Sequence, residues 1–237
     1  MKTKTIVITG ATGGIGTATV ARCLADGHRV IAADHTEIAQ PEGASYENFL
    51  PIQFDIRSSE ACQAAIEDAV EAFGGIDTLV NVAGICYGGG PDTADIDEWD
   101  KTFDVNVKGV FQLTKFALPQ LARNPRADIV NISSIWGTDH THALLSYSAS
   151  KFAVEGYTGG LRQWGMSRNV RVCTIQVDKV NTGFRENLGA AGEFPPEKLA
   201  KMLRPEDVAS AVSFVMSSSA TAQISSMRLD APLWYQD

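Results

Sequence analysis

Residues 5–16 read TIVITGATGGIG, a short apolar run that passes at once into a turn containing four glycines. The apolar run predicts a buried strand, and the glycines allow a tight turn whose backbone can approach a bound group closely. A helix predicted from Gly14 to Asp26 begins inside this turn, so its first N–H groups would face an anion. The stretch therefore predicts the phosphate-binding corner of a parallel α/β sheet.

The same alternation of strand and helix patterns continues along the chain. Further strands are predicted at RVIAAD (29–34), PIQFD (51–55), DTLVNVAG (77–84), ADIVNISS (127–134), VRVCTIQV (170–177) and 224–229. Helices are predicted at 58–73, 97–121, 146–167 and from Pro205 onward. This order indicates an α/β fold with a single domain over residues 1–237. We expect a Rossmann-type doubly wound parallel sheet of about seven strands, with helices on both faces.

Composition and charge limit the kinds of partner. The 237 residues include 44% apolar ones and carry a formal net charge of -8. An acidic surface disfavours nucleic acids and anionic membranes, and no apolar run approaches the roughly 20 residues that span a bilayer. The N-terminal MKTKTIVITG lacks the pattern of a signal peptide. We therefore expect a cytoplasmic protein that acts on a small molecule, with no nucleic acid and no membrane as partner.

The cysteines and histidines give no metal-binding pattern. The four cysteines Cys23, Cys62, Cys86 and Cys173 are scattered, without a CxxC pair. They are typical of free thiols in a reducing compartment. His140 and His142 lie close together, but no carboxylate or cysteine stands at a fitting ligand spacing. We expect polar loop histidines and no metal.

The second predicted strand ends in Asp34, eighteen residues beyond Gly16. An acidic side chain at this spacing accepts hydrogen bonds from the adenosine ribose hydroxyls of a dinucleotide and repels a 2'-phosphate. Neither Gly13 nor His35 supplies the Arg or Lys that a 2'-phosphate requires. The pattern favours NAD (NADH) over NADP as the cofactor. The alternative is that Asp34 is an ordinary residue of a turn after a strand.

Tyr147 and Lys151 lie four residues apart in SYSASK, within a predicted helix, and so project from one face. A nearby ammonium favours the phenolate form of tyrosine, which suits a general acid/base. The same spacing also occurs on many solvated helix faces. The pair therefore needs support from the rest of the sequence.

That support comes from five motifs in order: TGATGGIG (9–16), NVAG (81–84), NVKG (106–109), ISS (132–134) and YSASK (147–151). With them the chain resembles the classical short-chain dehydrogenase/reductase family. The resemblance implies an NAD(H)-dependent oxidoreductase that transfers a hydride between nicotinamide and a secondary alcohol or ketone. A 3-oxoacyl group and a small or cyclic alcohol are both compatible substrates.

The resemblance also implies roles for four catalytic residues. Tyr147 would be the general acid/base, and Lys151 would lower the Tyr147 pKa and hold the nicotinamide ribose. Ser134 would hydrogen-bond the substrate oxygen, and Asn106 would anchor a water in a proton relay. Ser134 also ends a predicted strand, where ligands of such sheets bind. Ser133 competes with it but should point to the opposite side of the strand.

The cofactor contacts implied by the resemblance follow the same motifs. Asp55 and Ile56 would hold the adenine edge, and Val180 and Thr182 would embrace the nicotinamide. Val177 and Asp178 stand where the family usually has Pro-Gly, so we expect the backbone of this corner to differ. The whole predicted set is Gly10, Thr12, Gly13, Gly14, Ile15, Gly16, Asp34, Asp55, Ile56, Asn81, Ala83, Gly84, Tyr147, Lys151, Val180 and Thr182.

Residues 181–204 carry glycines, prolines and charges without a steady period, which predicts a loop with a short helix. We interpret it as a lid over the substrate; the alternative is a surface excursion. Candidate pocket residues are Tyr87, Trp136, His142, Phe184 and Arg185, with Cys86 and His140 nearby. Arg185 suits an acidic substrate group, although a solvated loop arginine is the competing reading.

Two further questions stay open at this point. A catalytically idle dinucleotide-binding redox sensor or scaffold is the alternative to an enzyme, and the complete catalytic set argues against it. An epimerase or dehydratase is disfavoured because the C-terminal region is short.

The resemblance implies a homodimer or homotetramer formed through helices 97–121 and 146–167. Trp234 and Tyr235 would pack on a neighbouring subunit or close over the pocket.

Overall fold

The computed structural model describes residues 3–236, except for the side chains of residues 189–191. Seven parallel strands form one sheet in the order β3-β2-β1-β4-β5-β6-β7. The strands are β1 (Thr5–Thr9), β2 (Arg29–Asp34), β3 (Phe49–Gln53), β4 (Thr78–Asn81), β5 (Ala127–Ser134), β6 (Val170–Val177) and β7 (Ser226–Leu229). The predicted single-domain Rossmann-type sheet is thereby confirmed.

Helices cover the sheet. They are α1 (Gly14–Ala25), α2 (Ser59–Phe73), α3 (Ile96–Phe103), α4 (Val110–Leu121), α5 (Leu145–Gly165), α6 (Pro196–Leu199) and α7 (Pro205–Ser217). Three 3₁₀ segments lie at Ile135–Gly137, Gly183–Gly192 and Pro232–Tyr235. One apolar cluster joins α1 and α7 to the sheet, and a second joins α2, α4 and α5 to it. The central strands are apolar on both faces because each face packs on helices.

Local sequence explains several helix ends. The Ser58 hydroxyl accepts a hydrogen bond from Ala61 N at 3.2 Å and so caps α2. Gly74 ends that helix with a left-handed φ of 79°, which glycine adopts without strain. Pro205 is the first residue of α7, where its missing N–H costs nothing. These helix ends fix the lengths of the crossovers that carry the chain between strands.

Two predicted elements differ from the observed ones. The helix expected over 97–121 is α3 and α4 joined by a π-helical segment, Asp104–Gly109. A π-helical segment is defined by its i→i+5 hydrogen bonds, which the sequence does not reveal. The third strand is two residues earlier than PIQFD, because Phe49 and Leu50 pair with Val30 and Ile31 of β2.

The connections reverse direction between β1 and β4, which are neighbours in the sheet although β2 and β3 lie between them in the chain. In open α/β sheets such a switch leaves a crevice at the carboxyl ends of the strands, where ligands bind. Within residues 3–236, no helix combines the length and the apolar character needed to cross a bilayer.

Candidate active site

A cleft of about 660 Å³ opens at the carboxyl ends of β1, β4, β5 and β6. Its wall runs from the glycine turn after β1, past Asp34 at the end of β2, to Tyr147 and Lys151 on α5. The far end is formed by Thr182, Phe184 and other residues of the 181–204 loop. The cleft therefore has the length and position for an extended ligand lying across the strand ends.

The glycine turn is packed too tightly for side chains. A β-carbon on Gly10, whose φ is 63°, would lie 2.8 Å from Ala83 N. One on Gly16 would lie 1.9 Å from the carbonyl oxygen of Gly10, and one on Gly14 would lie 2.6 Å from Thr182 Cγ2. The missing side chains leave a cradle of backbone at the N-terminus of α1, which fits a pyrophosphate.

Asp34 is buried, and protein donors hold its carboxylate. It accepts hydrogen bonds from Thr12 N at 3.0 Å and Thr36 N at 3.2 Å, and His35 Nδ1 lies 2.8 Å from Oδ1. Burial opposes ionisation, but the hydrogen bonds from Thr12 and Thr36 outweigh it and lower the pKa of Asp34. A fixed negative charge therefore stands beside the glycine turn.

Asp55 and Ile56 line the cleft next to Asp34. The Asp55 carboxylate pairs with Arg57 at 2.6 Å, and this hydrogen bond lowers the Asp55 pKa. Ile56 packs against Gly109 of the π-helical segment, where a β-carbon would lie 2.9 Å from Ile56 Cγ1. Arg57 is not among the predicted site residues, although it stands two residues after Asp55, a carboxylate at a strand end.

Tyr147 and Lys151 lie one turn apart on α5, and both are buried. The Lys151 Nζ is 5.6 Å from the Tyr147 ring centroid and donates to the Ile132 carbonyl at 2.9 Å. Burial raises the pKa of Tyr147, while hydrogen bonding from Ser134 acts in the opposite direction. Burial lowers the pKa of Lys151 to about 8. A phenol and an ammonium thus share one enclosed end of the cleft.

The two serines at the end of β5 differ in direction. The Ser134 hydroxyl interacts with Tyr147 and accepts a hydrogen bond from Trp136 N at 3.2 Å. The wall of the cleft includes Ser133 rather than Ser134. The Ser133 hydroxyl, however, lies beside the 3₁₀ turn after β5, 2.9 Å from where a β-carbon on Gly137 would stand. Of the two hydroxyls, that of Ser134 is directed to Tyr147.

Asn106 lies in the π-helical segment and is fully buried. Its Oδ1 accepts from Ile85 N at 2.8 Å, and its Nδ2 donates to Ile85 O at 2.9 Å and to Ser150 Oγ at 3.0 Å. Both amide hydrogens are therefore in use, and the side chain ties the segment after β4 to α5. The anchoring of a water by Asn106 stays a prediction, and it would use an acceptor of this residue, since both amide hydrogens are occupied.

Most of the predicted cofactor contacts line the cleft, but Asn81 does not. Its side chain is buried in the sheet, where Nδ2 donates to Asn131 Oδ1 at 2.8 Å. Asn81 is the last residue of β4, so its side chain joins β4 to β5, and its contact with the cofactor stays a prediction. The described cleft wall contains Gly10, Thr12, Gly13, Gly14, Ile15, Gly16, Asp34, Asp55, Ile56, Ala83, Gly84, Tyr147, Lys151, Val180 and Thr182.

Three of the predicted pocket residues line the cleft, namely Tyr87, Phe184 and Arg185. Trp136 and His142 are not part of the cleft wall, and their contact with a substrate stays a prediction. His142 is exposed and lies two residues before Leu144, which forms a bridge with Gly89. Trp136 lies in the 3₁₀ turn that follows β5, and its carbonyl accepts a hydrogen bond from Ser148 Oγ on α5.

The unusual corner after β6 is tied to the C-terminal turn. Asp178 Oδ2 accepts from Tyr235 OH at 3.0 Å and from Ala231 N at 3.2 Å, and Lys179 Nζ lies 3.1 Å from Oδ1. Asp178 also lines the cleft, a position that its place at a strand end indicated. Lys101 of α3 lines the cleft too, and nothing in the sequence predicted it.

No group of three or more metal-ligating side chains occurs in the described part of the chain. The four cysteines are buried free thiols. Asp139 pairs with Arg228 at 3.0 Å, and the His140 ring lies 5.2 Å from the Phe152 ring. His140 therefore packs on α5, while His142 is exposed.

The chain was compared with known proteins. The family model for short chain dehydrogenase matches residues 4–192. A 2,5-dichloro-2,5-cyclohexadiene-1,4-diol dehydrogenase from Sphingobium indicum is 32% identical over 92% of this chain and 90% of its own length. A probable NADP-dependent dehydrogenase from Haemophilus influenzae is 31% identical over 90% of this chain and 87% of its own.

Among solved structures, the 3-ketoacyl-(acyl-carrier-protein) reductase of Brucella melitensis complexed with NADH is similar, with a TM-score of 0.86 and 25% identity over 98% of each chain. The family match covers most of the chain and agrees with the sheet order and the glycine turn. The chain therefore belongs to the short chain dehydrogenase family, whose members are oxidoreductases that bind a nicotinamide dinucleotide.

Proposed function

We propose that the protein is an NAD(H)-dependent oxidoreductase that transfers a hydride between nicotinamide and a secondary alcohol or ketone. The observation that carries the proposal is the buried pair of Tyr147 and Lys151 at the end of a cleft that starts at the glycine turn. A catalytically idle sensor would not need an acid and a cation enclosed together.

Different residues of the cleft would bind the cofactor and transfer the proton. The glycine turn would hold the pyrophosphate, and Val180 and Thr182 would contact the nicotinamide. Bound nicotinamide supplies the site that accepts or gives the hydride. Tyr147 takes the hydroxyl proton during oxidation and returns it during reduction, and the positive charge of Lys151 favours the phenolate. Ser134 would donate a hydrogen bond to the oxygen that gains negative charge during reduction.

Two observations support NAD as the preferred cofactor. The ionised Asp34 is placed to accept hydrogen bonds from ribose hydroxyls and repels a 2'-phosphate. Arg57, an arginine of the cleft wall, is held by Asp55 at 2.6 Å. Relatives of both kinds exist, since one is named NADP-dependent and another was crystallised with NADH.

The proposal extends to assembly and to the 181–204 loop. Phe111 of α4 and Phe152 of α5 are 48% and 38% exposed, and both helices are those through which family members would pair. We propose a cytoplasmic homodimer or homotetramer. Phe184 packs edge-on against Tyr147 with centroids 5.7 Å apart, which supports a lid role for the loop over the substrate.

The catalytic proposal is tested with a screen of secondary alcohols and ketones, following NADH absorbance for the wild type and Tyr147→Phe. The wild type should turn over part of the panel, and the variant should lose turnover at least about a hundredfold because the proton has no acceptor. NADH binding, followed by fluorescence, should remain nearly unchanged. Equal turnover by both proteins would refute the role of Tyr147.

The cofactor proposal is tested by comparing kcat/KM for NAD and NADP. The wild type should prefer NAD. Asp34→Ala should reduce that preference by about tenfold or more, since the variant removes the negative charge that repels the 2'-phosphate of NADP. Asp34→Asn, which keeps the shape and loses the charge, separates electrostatics from packing. A wild-type preference for NADP would overturn the assignment.

A further inference from the structure

Arg185 occupies a distinctive place at the substrate end of the cleft. It lies in the 3₁₀ segment Gly183–Gly192 and forms part of the cleft wall. Its neighbour Phe184 packs on the Tyr147 ring, so the two residues approach the proposed reaction centre together. The Cys86 thiol is within electrostatic reach of both Arg185 and Lys151. Arg185 therefore lines the same cleft as the acid/base pair.

The guanidinium is half-buried but poorly satisfied. One Nη1 hydrogen is donated to the Val180 carbonyl at 3.2 Å, and Nη2 lies 2.9 Å from the Met202 sulfur, which is a weak acceptor. Nε is buried and has no hydrogen-bond partner within residues 3–236. A guanidinium has five N–H donors, so most of its capacity is unused here.

No carboxylate of residues 3–236 pairs with Arg185, whereas the cleft arginine Arg57 and the loop arginine Arg204 each have one. Burial raises the pKa of the nearby Cys86 thiol to about 12, so this thiol is neutral at pH 7. Burying a cation without a counter-charge costs free energy. That cost lowers the pKa of Arg185 and would be recovered by an anion bound in the cleft.

We propose that Arg185 binds a carboxylate of the substrate, so that the enzyme acts on a hydroxy acid and its oxo acid. A guanidinium recognises a carboxylate through two parallel N–H···O bonds, and the unused donors are of the right kind. The inference rests on the proposed function for the chemical step. The carbinol C–H hydride goes to NAD, the hydroxyl proton goes to Tyr147, a C=O bond forms, and the carboxylate is unchanged.

The test uses two readouts on the full chain. Oxidation of 3-hydroxybutanoate, 3-hydroxybutanamide and butan-2-ol by NAD gives KM values, and titration of the NADH complex with butanoate or butanamide gives affinities without turnover. The variant is Arg185→Gln, and the matched control is Arg204→Gln, an exposed arginine paired with Asp207. NADH affinity of each protein is measured by fluorescence.

We expect the wild type to bind butanoate more tightly than butanamide. Arg185→Gln should weaken butanoate binding and raise the KM of the acid about tenfold to a hundredfold, as for a lost charge-assisted hydrogen bond, with the neutral probes unchanged. Arg204→Gln should change neither. NADH affinity should remain within about twofold in both variants.

Other outcomes overturn the inference. Equal wild-type affinity for butanoate and butanamide would show that no carboxylate site exists. If Arg185→Gln lost the same affinity for the acid and the neutral probes, Arg185 would only stabilise the loop. Weakened NADH binding with an unchanged ratio of acid to neutral KM would assign the guanidinium to a cofactor phosphate. Failure of the proposed function is distinct, because it shows as absent Tyr147-dependent turnover whatever the probes bind.

Discussion

Lys151 is a buried cation whose only hydrogen-bond acceptor among residues 3–236 is the Ile132 carbonyl. Desolvation lowers its pKa from the ordinary value of 10.5 to about 8. At neutral pH the folded state therefore carries the cost of an enclosed ammonium, which the unfolded chain does not. The charge that would favour a Tyr147 phenolate is maintained at the expense of stability.

Lys151→Met should consequently increase the free energy of unfolding by about 1–2 kcal/mol at pH 7. Because the folded pKa lies below the unfolded one, the unfolded state binds more protons between them, and the wild type gains stability as pH rises through this range. The difference in the free energy of unfolding between Lys151→Met and the wild type should therefore be smaller at about pH 9.5 than at pH 7, as measured by urea unfolding.

Lys108→Met is the matched control, since Lys108 is half-exposed beside Asp104. Its effect on stability should be small and should not change between the two pH values. A Lys151→Met difference that stays constant with pH would contradict the buried-charge argument.

The sequence predicted Tyr147 and Lys151 because a four-residue spacing on a helix determines their relative direction. It could not predict the partners of Asn106, since Ile85 is 21 residues away and is reached only through the path of a loop. The same limit applies to Trp136 and His142, which lie on the segment between β5 and α5. Local patterns identify which face of an element a residue occupies, but not where a connecting segment passes.

At the scale of elements, the turn between β1 and α1 depends on the absence of side chains. Gly16→Ala would bring a β-carbon to 1.9 Å from the Gly10 carbonyl oxygen, so backbone must move. We expect a loss of about 1–3 kcal/mol in the free energy of unfolding, measured without NADH. Gly13→Ala is the matched control: its β-carbon would lie 3.4 Å from the same oxygen, at an ordinary φ of -71°.

Gly13→Ala should leave stability within about 0.5 kcal/mol of the wild type. If both variants unfold at the same denaturant concentration as the wild type, close packing is not the reason for glycine at position 16.

The strand order and the glycine corner were predictable because apolar runs, helix periods and glycine spacing are local signals. The π-helical segment was not predictable, because it is defined by its i→i+5 hydrogen bonds, which the amino-acid pattern does not display. This segment nevertheless positions Asn106 and Gly109, so an element that sequence patterns cannot reveal shapes the wall of the cleft.

At the scale of the whole molecule, the C-terminal turn joins two parts of the cleft. Tyr235 binds Asp178 in the corner after β6, while Trp234 packs edge-on against Phe194 of the 181–204 loop at 4.9 Å. The Trp234 ring also lies 5.2 Å from Lys179 Nζ and 4.9 Å from Lys198 Nζ. The sequence left open whether these aromatics contact another subunit or the pocket. In the described chain, Trp234 contacts the 181–204 loop and Tyr235 contacts the corner after β6.

Trp234→Ala should therefore loosen the 181–204 loop without unfolding the sheet. Each lost aromatic or cation–π contact is worth about 0.5–1.5 kcal/mol, so we expect the substrate KM to rise about threefold to tenfold. Limited proteolysis within the loop should become faster, while NADH affinity should change less than KM. Tyr46→Ala removes an aromatic that is 83% exposed and outside the cleft wall, and it should alter neither measurement. Unchanged KM and proteolysis in Trp234→Ala would show that the loop is held by its own contacts.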